Sequence, residues 1–182
     1  AQMMEIRDFL GRRVTKRDVE LSTLALGTIG NAVSAGEMLD QLHYWGLLAR
    51  QMGRFFEEYD LYLTPTTASP PVEIGALAPS IGERIVLNLV NGLNMGKLLI
   101  RSGMIDQLAI NSLQHTPFTQ VANLSGLPAM SVPLHQFESG LPLGVQFIAP
   151  FGREDRLFNL AGQLEKSQPW FDRRPTIEKR IA

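Results

Sequence analysis

The chain has 182 residues, about one domain at ~150 residues per domain, and its 45% apolar and 19% charged content excludes disorder or a coiled coil as the main state. Lysine and arginine number 17 against 18 aspartates and glutamates, so the net charge is −1 and neither nucleic acid nor an anionic membrane is expected as a partner. Cysteine is absent, which excludes disulfides, thiol catalysis and cysteine metal sites and fits a reducing compartment; a cytoplasmic location is the expectation.

No apolar run reaches the ~18 residues of a membrane-spanning helix. Glu5, Arg7 and Asp8 stand where a signal peptide would carry its apolar stretch. The chain begins without an initiator methionine or an entry motif, and a fragment is expected. The N-terminal third reads as helical. Thr15 precedes a polar turn with Asp18 and Glu20, and then Leu21, Leu24, Ala25, Ile29 and Val33 recur at spacings of three and four. Ser34 and Glu37 have capping-box spacing. After them Met38, Leu42, Trp45, Leu48, Ala49, Met52, Phe55 and Phe56 form an apolar stripe, with Arg50, Arg54, Glu57 and Glu58 as its polar complement. This predicts one amphipathic helix over 35–59, docked on something apolar.

At Asp60 the period changes. Residues 60–65 read as a short strand stopped by Pro65, and residues 65–80, with Pro70, Pro71 and Pro79, as loop. A helix is expected over 82–100, weakened by Gly92 and Gly96, and a weaker one over 104–113. Pro117 suits the first turn of a short helix through Leu124, ended by Gly126. Residues 129–134 and 143–148 are short and apolar, and Glu138-Ser139-Gly140 between them supplies a turn. They read as two neighbouring, antiparallel, buried strands. A last helix begins near Arg153 and buries Leu157, Leu160, Ala161 and Leu164. Strands and helices together predict the α/β class, as one domain over 1–182 with a helical segment over 1–59 and a sheet-containing segment over 60–182. Three strands make a thin sheet, since strands apolar on both faces call for more neighbours.

Residue chemistry alone assembles no complete catalytic constellation. The three histidines, His43, His115 and His135, lack a second histidine at metal-ligand spacing and read as single surface or helix-face residues, so no metal is expected. No G-x-S-x-G elbow occurs. Gly92 to Leu98 imitates a phosphate loop but lacks one residue between its glycines and carries Leu98 where a hydroxyl must bind metal. None of the four lysines stands at Ser-x-x-Lys spacing. Glu57/Glu58 and Glu154/Asp155 are adjacent, and adjacent helix positions point about 100° apart, so neither pair converges on one atom. Glu154 and Asp155 instead favour the dipole at the start of the last helix.

Three local motifs carry more. They are Asp60-Leu-Tyr-Leu-Thr-Pro65-Thr66, then Phe118-Thr119-Gln-Val-Ala-Asn123-Leu-Ser125-Gly126-Leu-Pro128-Ala129-Met-Ser131-Val-Pro133, then Gly140-Leu-Pro142-Leu-Gly144-Val-Gln146-Phe147. In this order and spacing, and with Arg153-Glu154-Asp155 and Pro169-Trp170 after them, the chain resembles the C-terminal part of the amidase signature family from about Val14 to Pro175. The long helix before Asp60 is similar to that of bacterial amidases and 6-aminohexanoate-cyclic-dimer hydrolases.

The resemblance implies a few-stranded mixed sheet with flanking helices and a cofactor-free C–N hydrolase of linear or cyclic amides. The family works through a nucleophilic serine, a second serine in a cis peptide and a lysine base. Those groups lie in an N-terminal half that matches nothing here, so no catalytic residue is carried over and the chain is expected to be inactive alone. Its expected partners are that missing half, a small-molecule amide in the intact enzyme, and a second copy of itself. Alternatives are a non-catalytic binding or structural module, and one chain of a split amidase.

Thr66 and Thr67, where Pro65 ends the strand, are candidate pocket walls. Phe118 and Thr119 are expected to begin the short helix, whose N–H groups would face a cleft. Gln146, on a buried strand, needs a partner, and Asn123 is expected to bond backbone at a helix end. In the glutamyl-tRNA amidotransferase subunit of the family, an aspartate three residues before the equivalent of Thr119 binds the glutamine amino group. Thr116 stands there in this chain, which favours a neutral amide over a cationic amino acid.

Overall fold

The structure is a computed structural model that describes residues 2–93, 95–103, 109–110 and 113–173. In chain order its elements begin with α1 (Gln2–Leu10), α2 (Leu21–Gly30), α3 (Ala35–Glu58), β1 (Tyr62–Pro65), α4 (Ile81–Leu93) and α5 (Gly96–Arg101). They continue with α6 (Gln120–Ser125), β2 (Ala129–Gln136), β3 (Pro142–Ile148) and α7 (Glu154–Ser167). The chain divides into two compact units that interleave along the sequence. One comprises Ala1–His43 and Val72–Leu113, the other Tyr44–Pro71 and Gln114–Ala182.

The first unit is helical. Asp18 does not open a helix. Its carboxylate accepts from the Thr15 amide (2.8 Å), the Thr15 hydroxyl (2.7 Å) and the Arg12 guanidinium (2.7 Å), and so fixes a turn. A short acidic side chain competes here with helical backbone bonding, and α2 starts only at Leu21. The expected capping box is present: the Ser34 amide donates to Glu37 (2.7 Å) and the Glu37 amide to Ser34 Oγ (3.2 Å). A second box, unread in the sequence, joins Ser80 and Glu83 at the start of α4.

The single helix expected over 82–100 is two helices. α4 packs on α2 through buried Ala25 and Val90. Asn91 ties them, donating to Leu21 O (3.3 Å) and accepting from the Thr28 hydroxyl (3.2 Å). Gly96 then opens α5 against α2 so closely that a Cβ there would lie 2.6 Å from Thr28 O, a contact only glycine permits. The helix expected over 104–113 falls largely outside the described residues.

The second unit holds a three-stranded sheet in the order β1-β3-β2. Both pairings are antiparallel, where a mixed sheet was expected. The hairpin of β2 and β3 turns at Gly140, whose amide donates to Phe137 O (2.9 Å), as the turn residues predicted. A register shift lies between Val132 and His135. One sheet face is apolar. Val132 and Phe147 meet Leu157 of α7, and Met130, Leu134, Val145, Leu160, Leu164 and Trp170 surround them. Arg156 of α7 bonds Asp60 at 2.7 Å, and Gln168 donates to Leu134 O at 2.8 Å, so α7 is held at both ends.

The C-terminal end of α3 reaches β1 through Phe55, whose ring stands edge-on to Tyr62 at 5.6 Å. Along its whole length, however, α3 carries no buried residue. The apolar stripe is where the periodicity put it: Leu48, Ala49, Met52, Phe55 and Phe56 are half-buried, whereas Leu42 and Trp45 stay exposed. The helix expected from Pro117 begins three residues later at Gln120 and ends, as expected, at left-handed Gly126. Among the described residues no helix is long and apolar enough to cross a membrane.

Candidate functional site

Strand alternation sorts the sheet. In β3, Val145 and Phe147 face α7, so Gly144 and Gln146 face the other way. Residues directly opposite on neighbouring strands share a face. Thr64 and Ser131 both lie opposite Gln146, making a polar row across all three strands. One step along, the Thr66 amide donates to Gly144 O (2.8 Å), which carries the β1–β3 pairing past Pro65. The hydroxyls of Thr66 and Ser131 then meet at 2.6 Å. They meet because residue 144 has no side chain: a Cβ there would lie 2.7 Å from Thr66 Oγ1 and nearer still to Ser131 Oγ.

Gln146 is 5% exposed and Thr64 6%. The Gln146 amide nitrogen donates to Thr64 Oγ1 (3.2 Å) and to Phe118 O (3.3 Å), supplying the partner its burial demands. The segment before α6 has a second anchorage. Ala68 N donates to His115 O (2.9 Å), and Ser69 Oγ lies 3.2 Å from His115 Nδ1.

All six sequence candidates therefore belong to one unit. Thr66 and Gln146 share the polar sheet face; Thr67 lies in the following loop; Thr116, Phe118 and Thr119 lie in the segment before α6, all three half-buried. Gln146 and Phe118 are joined directly, and Thr119 Oγ1 donates to Thr116 O (3.1 Å). Thr67 turns to its own loop and donates to Ser69 O (2.9 Å). Phe118 and Thr119 do not begin the helix. Thr119 is its N-cap residue without a side-chain cap, because its hydroxyl is engaged at Thr116. Asn123 is exposed.

Thr64, Ser69, His115, Ser131 and Gly144 were not singled out as site residues from the sequence. The period-two spacing of Thr64 and Thr66, and of Gly144 and Gln146, was the available signal for part of this group. His115, read as a single surface or helix-face histidine, is half-buried and bonded.

These hydroxyl, amide and carbonyl groups carry no formal charge. They can exchange hydrogen bonds with a neutral polar ligand. Thr66 and Ser131 have only each other as described side-chain partners, and a hydroxyl beside a hydroxyl is not activated as a nucleophile. Two depressions of about 340 and 410 Å³ are lined by Arg12, Thr15, Lys16 and Arg17 and by Arg7, Asp8, Gly11, Arg12 and Arg13, so the six candidates wall neither. Among the described residues no group of three or more His, Asp or Glu side chains is placed to hold a metal ion.

Comparison with known proteins places this arrangement. The family model described as Amidase matches residues 10–158. The chain is 32% identical over 174 residues to the 6-aminohexanoate-cyclic-dimer hydrolase of Paenarthrobacter ureafaciens, covering 93% of this chain and 31% of that protein. It is 35% identical over 179 residues to a lipoamidase of Enterococcus faecalis, covering 89% of this chain and 23% of that protein. The structure of 6-aminohexanoate cyclic dimer hydrolase complexed with substrate superimposes with a TM-score of 0.71 at 30% identity, covering 96% of this chain and 33% of the other. The chain thus spans about a third or less of the length of these relatives. It belongs to the amidase family.

Proposed function

We propose that this chain is the C-terminal third of an amide hydrolase that cleaves the C–N bond of a neutral linear or cyclic amide. The nucleophilic serine, the cis-peptide serine and the lysine base come from the remaining two thirds, and the chain alone is inactive. Nucleophile, base and oxyanion donors are needed together for covalent acyl transfer. The observation that carries this reading is the coverage: 93% of this chain aligns with 31% of a cyclic-amide hydrolase. The uncharged polar face around Thr66, Gln146 and the Thr116–Thr119 segment supports a neutral substrate. It serves as part of a pocket wall, with Thr116 offering no counter-charge to an ammonium group. The absence of cysteine agrees with a cytoplasmic setting.

The first partner is the missing half. Without it, the α3 stripe is the surface through which two copies pair. Leu42 is 44% and Trp45 39% exposed, on a helix with no buried residue.

The test is to express the reading frame continued upstream, beside the present chain, with hexanamide and 6-aminohexanoate cyclic dimer as substrates, measuring ammonia and amine release. Turnover by the extended product alone supports the reading. An upstream stop with no catalytic segment points to a binding module, and a separate gene carrying that segment points to a split enzyme. Turnover by the present chain that is lost in Ser69→Ala would overturn the proposal, because Ser69 has an imidazole beside it.

A further inference from the structure

Gln146 is among the candidates for contact with substrate, yet its hydrogen bonding leaves the amide nitrogen nothing to offer. A primary amide has two N–H protons, and two oxygens face this one: Thr64 Oγ1 at 3.2 Å and Phe118 O at 3.3 Å. A backbone carbonyl only accepts, so the nitrogen rather than the oxygen of Gln146 must face Phe118. Both protons are committed, in a side chain that is 5% exposed.

The segment it bonds is held at its other end as well. His115 O accepts from the Ala68 amide at 2.9 Å, and His115 Nδ1 lies 3.2 Å from Ser69 Oγ. Spanning Phe118, Thr119 Oγ1 closes the segment on itself at Thr116 O (3.1 Å). The ties are borne by the backbone carbonyls of His115, Thr116 and Phe118 and by the side chains of His115 and Thr119, so the side chains of Thr116 and Phe118 are presented by a backbone fixed on both sides.

We propose that Gln146 is a positioning residue rather than a substrate contact: it ties the Phe118 carbonyl to the sheet and thereby sets the wall formed by Thr116 and Phe118. This rests on the pocket reading only in taking that segment for a wall; the tie itself does not depend on it. The ligand suited to that wall is an aliphatic amide, with a hydroxyl at Thr116 and an aromatic face at Phe118.

The test compares amide hydrogen exchange in the unaltered chain, Gln146→Glu, Gln146→Asn and Thr64→Val. At neutral pH, Gln146→Glu places a carboxylate against the Phe118 carbonyl. Exchange at residues 118–125 should rise about tenfold while the β2–β3 amides keep their protection, as local opening requires. Burial and the facing carbonyl raise the pKa of that carboxyl, so on acidification it protonates, donates to Phe118 O and restores the lost protection. Gln146→Asn, uncharged but one methylene shorter, should give the same local loss without recovery in acid. It keeps the test decisive if the charged variant does not fold. Thr64→Val leaves the Phe118 bond in place and should loosen residues 118–125 far less than either.

Hexanamide supplies the functional readout. Chemical-shift changes at Phe118 and Thr119 in the unaltered chain should vanish in Gln146→Asn and persist in Thr64→Val. Loss of protection spread evenly over the sheet and α6, or no recovery in acid, would overturn the proposal. If the unaltered chain shows no response to hexanamide while exchange behaves as described, the pocket reading falls and the tie stands.

Discussion

Replacing Gly144 by alanine probes the join between β1 and β2 over β3. The backbone at Gly144 is not among those with positive φ, so the issue is space rather than strain. A Cβ would sit 2.7 Å from Thr66 Oγ1, 3.2 Å from Thr66 Cβ, and closest to Ser131 Oγ. Ser131 is exposed and can swing its hydroxyl into water, which relieves the worst contact but gives up the 2.6 Å bond to Thr66. That bond is worth about 0.5–1.5 kcal/mol. Thr66 is half-buried with its amide held by Gly144 O, so its Cβ yields only with the strand. Overpacking of this kind costs about 1–3 kcal/mol. Against both stands about 0.4–1 kcal/mol regained because alanine restricts the unfolded chain. The net expectation is a loss of about 2 kcal/mol.

Urea unfolding followed by Trp170 fluorescence suits the measurement, because Trp170 packs on the core of the same unit. In a Ser131→Ala background the nearest clash and the hydrogen bond are both already gone. The further cost of Gly144→Ala should then shrink by about 1 kcal/mol, a coupling typical of contacting residues. A change within about 0.3 kcal/mol in the single variant, or strict additivity in the double, would refute the hydroxyl pair as the reason for glycine.

Val145→Asp places a charge on the face that meets α7, and thermal unfolding should report a loss of about 2–4 kcal/mol; an unchanged melting temperature would mean that the face assignment is wrong. Acid titration should loosen the turns and helix starts. Bonding to Arg153 holds Asp155 at about 2, bonding to Arg12 holds Asp18 well below the usual carboxylate range, and bonding to Ser34 and Ser80 lowers Glu37 and Glu83. Since these values are depressed by folding, the stabilisation is complete above the ordinary carboxylate range and declines as pH falls through it, for Asp155 down to about 2. Circular dichroism of Asp155→Asn should show a shallower decline, and an unchanged acid profile would contradict the assignment. Light scattering at micromolar concentration should give a two-fold dimer that Trp45→Glu dissociates; a monomer mass throughout, with no binding of a hydrophobic dye, would exclude α3 as a self-association surface.

The parts of the fold that were legible in the sequence are those fixed by neighbours in sequence. The Ser34–Glu37 box, the turn at Gly140 and the bounds of β2 and β3 are local, and each stands within a residue or two of expectation, although the strands are apolar on one face where both were expected to be. Where distant groups decide, the reading failed. Gly96, read only as weakening one long helix, sits where α5 approaches Thr28 of α2, far earlier in the chain; the Asp18 turn is the exception, a miss made by its near neighbours Arg12 and Thr15. The site follows the same division. Thr66 and Gln146 could be named from their motifs, but Thr64 and Ser131 join them only through strand register, and for Ser131 the shift between Val132 and His135 hides that register from a count back from the Gly140 turn. His115 acquires a partner 46 positions away that no spacing rule anticipates.

The same distinction explains α3. Helical periodicity records which side of a helix is apolar, and Met38, Leu42 and Trp45 are written on one side as clearly as in any docked helix. Periodicity does not record what lies against that side. Among the described residues the stripe is exposed over Met38, Leu42 and Trp45 and half-buried from Leu48 through Met52 to Phe55 and Phe56, where the aromatic pair with Tyr62 begins. A 24-residue helix with no buried side chain has little tertiary packing to hold it, and propensity alone stabilises such a helix only marginally in water. The stripe therefore implies a covering surface in the working protein. On the function proposed above, the remaining two thirds of the amidase would supply that surface and a second copy would substitute for it, which is what the light-scattering measurement tests.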